Sequence, residues 1–223
     1  MLVAEGITKS YAELVALAPL DLTIKADELT VLVGHNGSGK STLLSLCAGL
    51  LEPTEGTLTV DGHPAGSFEA RAATSYLPDQ PVLYDDLSVV EHLEYVSRLH
   101  GVEDWEDRGN DLLDRLGLAH RADDLPSRFS RGLRQKTSIA LGLVRPFRLL
   151  LVDEPFVGLD PQGKEALVGL LDEAHRQGAA VVVATHQLEF VQQADRCLAL
   201  RDGELVFDGP AGGADVDKLL GLS

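Results

Sequence analysis

The chain has 223 residues, of which 19 are lysine or arginine and 35 are aspartate or glutamate, so its formal net charge is −16. This length suits one domain with a buried core, and the negative charge disfavours general nucleic-acid binding. The two cysteines, Cys47 and Cys197, are too few and too far apart for a disulfide framework or a zinc site, which fits a reducing compartment. We also expect no signal peptide, and no apolar run approaches the ~20 residues that span a bilayer.

The first part of the chain carries three apolar runs and then a glycine-rich loop. The runs at 2–7, 20–24 and 29–33 have the length and composition of short strands. The loop GHNGSGKST, from Gly34 to Thr42, follows the third strand directly and precedes a helical pattern over 42–50. Its glycines let the backbone turn successive N–H groups toward one anion, and the helix adds its positive N-terminal end.

This spacing is typical of a P-loop, which binds the phosphates of a nucleotide. Lys40 can reach the β- and γ-phosphates, and the Ser41 hydroxyl can bind Mg²⁺. The alternative is a glycine-rich turn before an ordinary helix, but the strand–loop–helix context favours the P-loop. The residues that we expect to contact the nucleotide here are Gly34, Asn36, Gly37, Ser38, Gly39, Lys40, Ser41 and Thr42.

The rest of the chain alternates between strand and helix patterns. Further strands are predicted at 56–60, 74–77, 149–152, 180–184, 195–200 and 204–207, and helices at 89–99, 106–116, 132–144 and 165–176. Ser88 and Glu91 have the spacing of a capping box, and Asp202-Gly203 has the composition of a hairpin turn. The alternation predicts an α/β fold with a mostly parallel sheet and a helical insert between its strands.

Positive charge is concentrated in one stretch of this acidic chain. Between residues 125 and 152 there is no acidic residue and there are six basic ones, namely Arg128, Arg131, Arg134, Lys136, Arg145 and Arg148. Such a run is usually a solvated helix face. The alternative is a surface for an anionic partner.

Two carboxylates, Asp153 and Glu154, come directly after the apolar strand at 149–152. Carboxylates at the end of a buried strand are costly unless they meet a cation or a polar site. Asp153 fits a role at the Mg²⁺ ion, and Glu154 is placed to orient and deprotonate a water that attacks the γ-phosphate. The alternative is an acid that caps the helix after the strand.

Two further polar residues follow strands. Gln80 comes after the strand that ends before Pro78, and it is a candidate to contact Mg²⁺ or the attacking water. His186 follows the strand at 180–184, where its ring could bind the γ-phosphate or the water of Glu154. Considered alone, Gln80 would be a loop glutamine and His186 a residue at the start of a helix.

In this order the motifs resemble those of nucleotide-binding subunits of ABC transporters, over nearly the whole chain. The loop from Gly34 to Thr42 is similar to Walker A, Gln80 to the Q-loop glutamine, and the segment from Leu149 to Glu154 to Walker B. The ordered set is far more specific than any one motif.

The resemblance extends to three single residues. It implies that Tyr11 stacks on adenine, although a tyrosine at the end of a strand can simply pack. It also implies that Asp160, in Gly158-Leu159-Asp160, belongs to the D-loop and that His186 is the switch histidine.

The segment FSRGLRQ, at 129–135, lies where the family has its signature LSGGQ. Arg131 replaces a glycine and Leu133 replaces the glutamine, which removes one polar contact to the nucleotide. Ser130 and Gly132 remain, and the resemblance implies that they approach the γ-phosphate bound by an opposite subunit. This form is similar to subunits that serve ABC-2-type exporters, which favours export over import.

The resemblance implies the fold class and its division along the chain. We expect an α/β P-loop NTPase core with a mostly parallel sheet, an antiparallel β part near the N-terminus and an inserted α-helical subdomain. The ATP-binding core is expected at 1–86 and 146–223, and the helical signature subdomain at 87–145.

The resemblance also implies partners and cofactors. Two subunits, expected to be copies of this chain, would enclose two ATP molecules with Mg²⁺. An integral membrane permease would dock near Gln80 to Leu87, which places the protein on the cytoplasmic face of the cell membrane. No nucleic acid is expected. The apolar side chains at 81–87 could instead pack the helical insert onto the core.

Two other functions share parts of this pattern. A non-transport ABC ATPase that acts on DNA or the ribosome would have the same motifs, but the long coiled-coil insert or the second fused copy of such proteins is absent here. A P-loop small-molecule kinase would not need Gln80, the Ser130–Gly132 pair and His186 in this order.

Overall fold

A computed structural model of the chain describes residues 1–215 and Leu219, which belong to two units. The core unit consists of Met1–Tyr76, Phe147–Glu154 and the described residues from Ala174 onward. The helical unit consists of Leu77–Pro146 and Pro155–Glu173.

Strands and helices alternate along the chain. The strands are β1 (Leu2–Tyr11), β2 (Leu14–Ile24), β3 (Leu29–Val33), β4 (Glu55–Val60), β5 (His63–Pro64), β6 (Thr74–Leu77), β7 (Leu149–Asp153), β8 (Ala180–Ala184), β9 (Arg196–Arg201) and β10 (Glu204–Pro210). The helices are α1 (Lys40–Cys47), α2 (Phe68–Ala73), α3 (Val89–Leu99), α4 (Glu106–Arg115), α5 (Arg131–Leu143), α6 (Pro161–Arg176) and α7 (Leu188–Val191). The α/β fold class is therefore confirmed.

The predicted antiparallel part is a four-stranded sheet with the order β2-β1-β4-β5. Its pairings β1–β2, β1–β4 and β4–β5 are all antiparallel. Leu2 and Ala4 of β1 are buried in the core cluster, whereas Glu5 is exposed. This is the pattern of a sheet that covers a core with one face and meets solvent with the other.

The second sheet has the order β10-β9-β3-β8-β7-β6, and β3 pairs in parallel with both β8 and β9. Every residue of β3, β7 and β8 is buried, as is typical of central parallel strands. The register aligns Leu32 and Asp153 with Ala184 of β8. The residues that follow these three strands therefore meet at one edge of the sheet, where α/β proteins bind ligands.

Both cysteines lie inside the core unit. Cys47 ends α1 and Cys197 lies in β9, and both thiols are free and buried. Burial raises the pKa of Cys47 to about 12 and that of Cys197 to about 11. No disulfide forms, which agrees with the expectation from the sequence.

Helix caps and ion pairs supplement the buried apolar side chains of the helical unit. The predicted capping box is present, since the Ser88 N–H donates to Glu91 Oε2 over 2.7 Å and the Glu91 N–H donates to Ser88 Oγ. Arg108 and Arg115 of α4 contact Glu173 of α6 at 2.9 and 2.5 Å. The hydrogen bond from Arg115 lowers the pKa of Glu173. No helix in the described part of the chain is long and apolar enough to cross a membrane.

Several predicted boundaries are wrong, and two short helices, α2 and α7, were not predicted. The helix predicted at 42–50 is α1, which begins at Lys40 because Gly39, with φ 103°, caps it directly after the loop. The strand predicted at 20–24 begins at Leu14, and the helix predicted at 165–176 begins at Pro161. The six-residue helix α2 is too short to show helical periodicity, but Ser67 caps it.

The predicted core range 146–223 extends past the described residues, because 216–218 and 220–223 lie outside them.

Candidate functional site

The loop between β3 and α1 has the backbone of an anion site. Gly37 and Gly39 have φ angles of 83° and 103°, in the region that favours glycine. A side chain at Gly39 would also come within 2.8 Å of the carbonyl oxygen of Ala16. Ser38 is buried, and its Oγ has no hydrogen-bond partner within the described residues. The left-handed glycines and the buried hydroxyl are consistent with a loop that binds an anion.

Lys40 is the buried cation of this loop. Its Nζ donates to the carbonyl oxygens of Gly34 at 2.8 Å and His35 at 3.3 Å. The ammonium also lies 3.9 Å from Glu154 Oε1. It is thus held among carbonyl oxygens at the start of a helix, where phosphates bind.

Glu154 and His186 meet at the ends of β7 and β8. Glu154 Oε2 lies 3.0 Å from His186 Nδ1, which fits an imidazole that donates its Nδ1–H to an ionised carboxylate. The Glu154 backbone, with φ 45°, is left-handed, and its N–H donates to the carbonyl oxygen of Ala184 over 2.9 Å. The side chain is only 18% exposed, and burial raises its pKa, although His186 and Lys40 partly offset this effect.

The candidate Mg²⁺ ligands differ in their exposure. Asp153 is buried at the end of β7, and Ser41 is exposed in the first turn of α1. No group of three or more His, Cys, Asp or Glu side chains among the described residues could hold a metal ion. A serine hydroxyl with one carboxylate fits Mg²⁺, which keeps waters and takes oxygens from bound phosphates.

Tyr11 ends β1 in the core unit and is half exposed. The ammonium of Lys9 lies 5.2 Å from the centre of its ring, within the range of a cation–π contact. An accessible ring face is compatible with stacking on a base, and this role stays a prediction.

Two contacts between the P-loop and the hairpin at Asp202-Gly203, which we call the brace, were not predicted from the sequence. His35 Nε2 lies 3.3 Å from Asp202 Oδ1, and the N–H of Gly203 donates to the carbonyl oxygen of Ser38 over 3.1 Å. The Asp202-Gly203 pair was predicted only as a hairpin turn, and it forms one, with positive φ at both residues. Nothing in the local pattern indicates that this hairpin also supports the loop.

The helical unit brings the other predicted residues together around the start of α5. Ser130 caps this helix by accepting from the N–H of Leu133. A side chain on Gly132 would lie 2.4 Å from the carbonyl oxygen of Gly158, so glycine is needed for the close approach. Asp160 Oδ1 lies 2.9 Å from Lys136 Nζ, and the bond from Lys136 lowers the pKa of Asp160.

Gln80 lies in the same unit, in the loop after β6. The residues on either side of it contact α5. Arg131 Nη2 lies 3.2 Å from Asp79 Oδ1, and Arg134 Nη2 lies 3.4 Å from the carbonyl oxygen of Pro81.

The basic stretch at 125–152 mostly has partners within the chain. Lys136 pairs with Asp160, Arg148 pairs with Asp61 at 2.6 Å, and Arg145 donates to a backbone carbonyl. With Arg131 and Arg134, five of the six basic side chains are thus engaged. These charges therefore tie segments of the fold together, and the binding of an anionic partner by the stretch stays a prediction.

The motif order, the fold and this geometry agree with one family of known proteins. Residues 17–157 match the sequence profile of the family described as ABC transporter. The chain belongs to the ABC transporter family.

Individual members of the ABC transporter family align over most of the chain. The "SkfA peptide export ATP-binding protein SkfE" of Bacillus subtilis (strain 168) is 34% identical over 207 residues, covering 92% of this chain and 87% of that protein. The "Lipoprotein-releasing system ATP-binding protein LolD" of Gluconobacter oxydans (strain 621H) is 37% identical over 217 residues, covering 91% and 94%.

A solved ABC cassette has the same fold. The dimeric post-hydrolysis state of the ATP-binding cassette MJ0796, bound to ADP and Pi, superimposes with a TM-score of 0.86 at 28% identity, covering 96% of this chain and 100% of that chain. Within the ABC transporter family, this chain is an ATP-binding subunit that hydrolyses ATP.

Proposed function

We propose that two copies of this chain close around two ATP molecules and that hydrolysis drives a separate integral membrane permease in the direction of export. The names of two relatives support export, because one is a peptide export protein and the other belongs to a lipoprotein-releasing system. The dimeric cassette supports pairing. Such a subunit would work on the cytoplasmic face of the membrane.

The contact of Glu154 with His186 and Lys40 carries the hydrolytic part of this proposal. A carboxylate 3.0 Å from an imidazole and 3.9 Å from the P-loop ammonium is suited to accept a proton from a water beside the γ-phosphate. The raised pKa of Glu154 makes it a stronger base than an exposed glutamate. As the water oxygen bonds to the γ-phosphorus, the bond from that phosphorus to the bridging oxygen breaks and ADP leaves.

The other side chains around the P-loop bind and orient the substrate. Lys40 and the loop N–H groups hold the β- and γ-phosphates, and His186 holds Glu154 in place. Ser41 and Asp153 would hold Mg²⁺, which neutralises charge on the phosphates. Tyr11 would stack on adenine, and Gln80 would contact the metal or the attacking water.

The helical unit would supply the second half of each site. We assign residues 1–86 and 146–223 to the ATP-binding core and 87–145 to the signature subdomain, a functional division that differs from the two compact units, in which 77–86, 146 and 155–173 belong to the helical unit. Ser130 and Gly132 would bind the γ-phosphate held by the partner, and Asp160 would contribute from the D-loop. A single subunit would then hydrolyse ATP poorly, and ligand binding would drive closure.

The Glu154→Gln variant tests this mechanism. The amide keeps the shape of the side chain but is a much weaker base, so ATP hydrolysis should fall by about 100-fold or more. The loss of one negative charge also relieves repulsion from the γ-phosphate, so an ATP-bound dimer should accumulate on size-exclusion chromatography. Glu204→Gln, an exposed change in β10, is the matched control and should leave both properties unchanged. Normal turnover, or a monomer in saturating ATP, would contradict the proposal.

The loop at 81–87 is the proposed contact for the permease. Val82 is 90% exposed and Tyr84 is 54% exposed, which is unusual for apolar side chains in a core contact. The loop is also tied to α3, since the Tyr84 N–H donates to His92 Nε2 over 2.9 Å and the Tyr84 ring meets that of Tyr95 edge to face, with 5.6 Å between their centres. His92 Nδ1 in turn donates to the Ser88 carbonyl oxygen over 2.8 Å, which fixes its tautomer.

The Tyr84→Asp variant tests this contact. It should abolish capture of the permease in a pull-down while the subunit still binds ATP and melts at the wild-type temperature. Phe68→Asp, which changes an exposed aromatic residue of the core unit, is the control and should keep permease binding. Retained binding of the permease by Tyr84→Asp would exclude this docking site. Loss of the fold in this variant would favour the alternative that the side chains at 81–87 pack the helical insert onto the core.

A further inference from the structure

The first turns of α5 carry two arginines that contact the segment around Gln80. Arg131 forms an ion pair with Asp79, the residue before Gln80, with 3.2 Å between Nη2 and Oδ1. Arg134 donates to the carbonyl oxygen of Pro81, the residue after it, over 3.4 Å. The residues immediately before and after Gln80 are therefore both bound to α5.

The same arginines also join two other segments to α5. Arg134 Nη1 donates to the carbonyl oxygen of Pro126, just before the signature residues, over 3.2 Å. The Cγ and Cδ of Arg131 lie 3.4 and 3.5 Å from the place of a Cβ on Gly158, so its stem covers that turn. Arg131 and Arg134 thus contact three loops of the helical unit, at 79–81, Pro126 and Gly158.

These ties are too weak to hold the fold. The side chains of Arg131 and Asp79 are 59% and 38% exposed, and exposed ion pairs contribute little to stability. The conformation of a surface loop is easier to bias than that of a core. Arg131 also stands where the family signature has glycine, so this tie is a departure of this chain from the common pattern.

We propose that Arg131 and Arg134 are positioning residues, which tie the 79–81 segment to α5 so that the placement of Gln80 depends on the signature turn at Ser130 and Gly132. The inference rests on the proposed sandwich dimer. When a nucleotide bound by the partner contacts the signature turn, the contacts from Arg131 and Arg134 fix the position of the 79–81 segment relative to that turn. Arg131 then acts through Asp79.

The test breaks the Arg131–Asp79 tie from each side in the full chain. Asp79→Asn removes the charge but leaves Arg131 intact, and Arg131→Gln removes the other partner. Each should lower kcat for ATP hydrolysis about three- to five-fold, which is as much as an exposed ion pair can contribute, and should leave KM for ATP unchanged. The double variant should be no slower than either single one. Asp79→Arg combined with Arg131→Asp should restore most of kcat.

A second exposed ion pair of the helical unit provides the control. Arg121 pairs with Asp124 at 3.0 Å with similar exposure, and Asp124→Asn should keep wild-type kcat and KM. Unchanged kcat in Asp79→Asn, or losses that multiply in the double variant, would overturn the inference and would assign Arg131 a separate role.

The sandwich itself is tested apart from this tie. If Glu154→Gln dimerises with ATP and Asp79→Asn keeps its kcat, only the arginine inference fails. If Glu154→Gln stays monomeric in ATP, the proposed dimer fails.

Discussion

The P-loop of the core unit and the signature turn of the helical unit are built in opposite ways. Lys40 and Ser38 are buried, and Lys40 is held by backbone carbonyls next to fully buried strands. The signature turn is held by side-chain ties, such as Arg131 to Asp79, that are largely exposed. The departures from the family pattern, Arg131 and Leu133, occur in the second region. A site that is held by backbone contacts tolerates few substitutions, whereas a site that is held by side-chain contacts can exchange one contact for another when its sequence changes.

The largest effect is expected at the buried cation. Lys40→Ala should weaken ATP binding by about 100-fold or more in calorimetry, because it removes the P-loop ammonium that faces the phosphates. Lys25→Ala, an exposed change in the same unit, is the control. Unchanged affinity in Lys40→Ala would show that this region is not the nucleotide site.

In the helical unit, Gly132→Ala should act on turnover rather than on binding. Its new Cβ would lie 2.4 Å from the Gly158 carbonyl oxygen, so the signature turn must shift. We expect kcat to fall by at least about ten-fold while one subunit binds ATP normally. Gly169→Ala is the control, because its Cβ would meet nothing closer than 3.7 Å. A parallel loss of ATP affinity would contradict the separation of the two regions.

The cost of burying Glu154 can be measured through pH. Its pKa is raised in the folded state, so the stability linked to its protonation is present at low pH and is lost as pH rises through that pKa. Glu154→Gln should therefore melt above wild type at pH 7, by about 2–4 °C for each kcal/mol of relieved cost. Below the ordinary glutamate pKa of about 4.3 the two proteins should converge. A lower melting temperature for the variant at pH 7 would mean that its contacts with His186 and Lys40 outweigh burial.

The smallest effect is expected at the brace of the P-loop. Asp202→Asn removes the charge opposite His35, but the backbone bond from Gly203 to Ser38 remains. Since both side chains are exposed, the Kd for ATP should change by no more than about two-fold. Calorimetry would detect a change of five-fold or more, which would make the brace part of the binding site.

Sequence reasoning predicted candidate site residues where motifs have a fixed spacing. The P-loop, Glu154 and His186 were predicted because local sequence places them at the ends of buried strands. The short helix α2 and the early start of α6 were missed. A six-residue helix shows no periodicity, and Asp160, whose Oδ1 accepts from the Gly163 N–H at the start of α6, was assigned to the D-loop. The ties of Arg131 to Asp79 and of Lys136 to Asp160 were also missed. They join residues far apart in sequence, and one sequence without relatives gives no signal for such pairs.

The two cysteine thiols give this protein an internal reporter of core opening. With pKa values of about 12 and about 11, Cys47 and Cys197 are almost entirely protonated at neutral pH, and both are buried. Because the thiolate is the reactive form, alkylating reagents should modify them only when the core unit opens. The rate of labelling would then measure that opening without any added probe, and ATP should slow it if nucleotide binding stabilises the core.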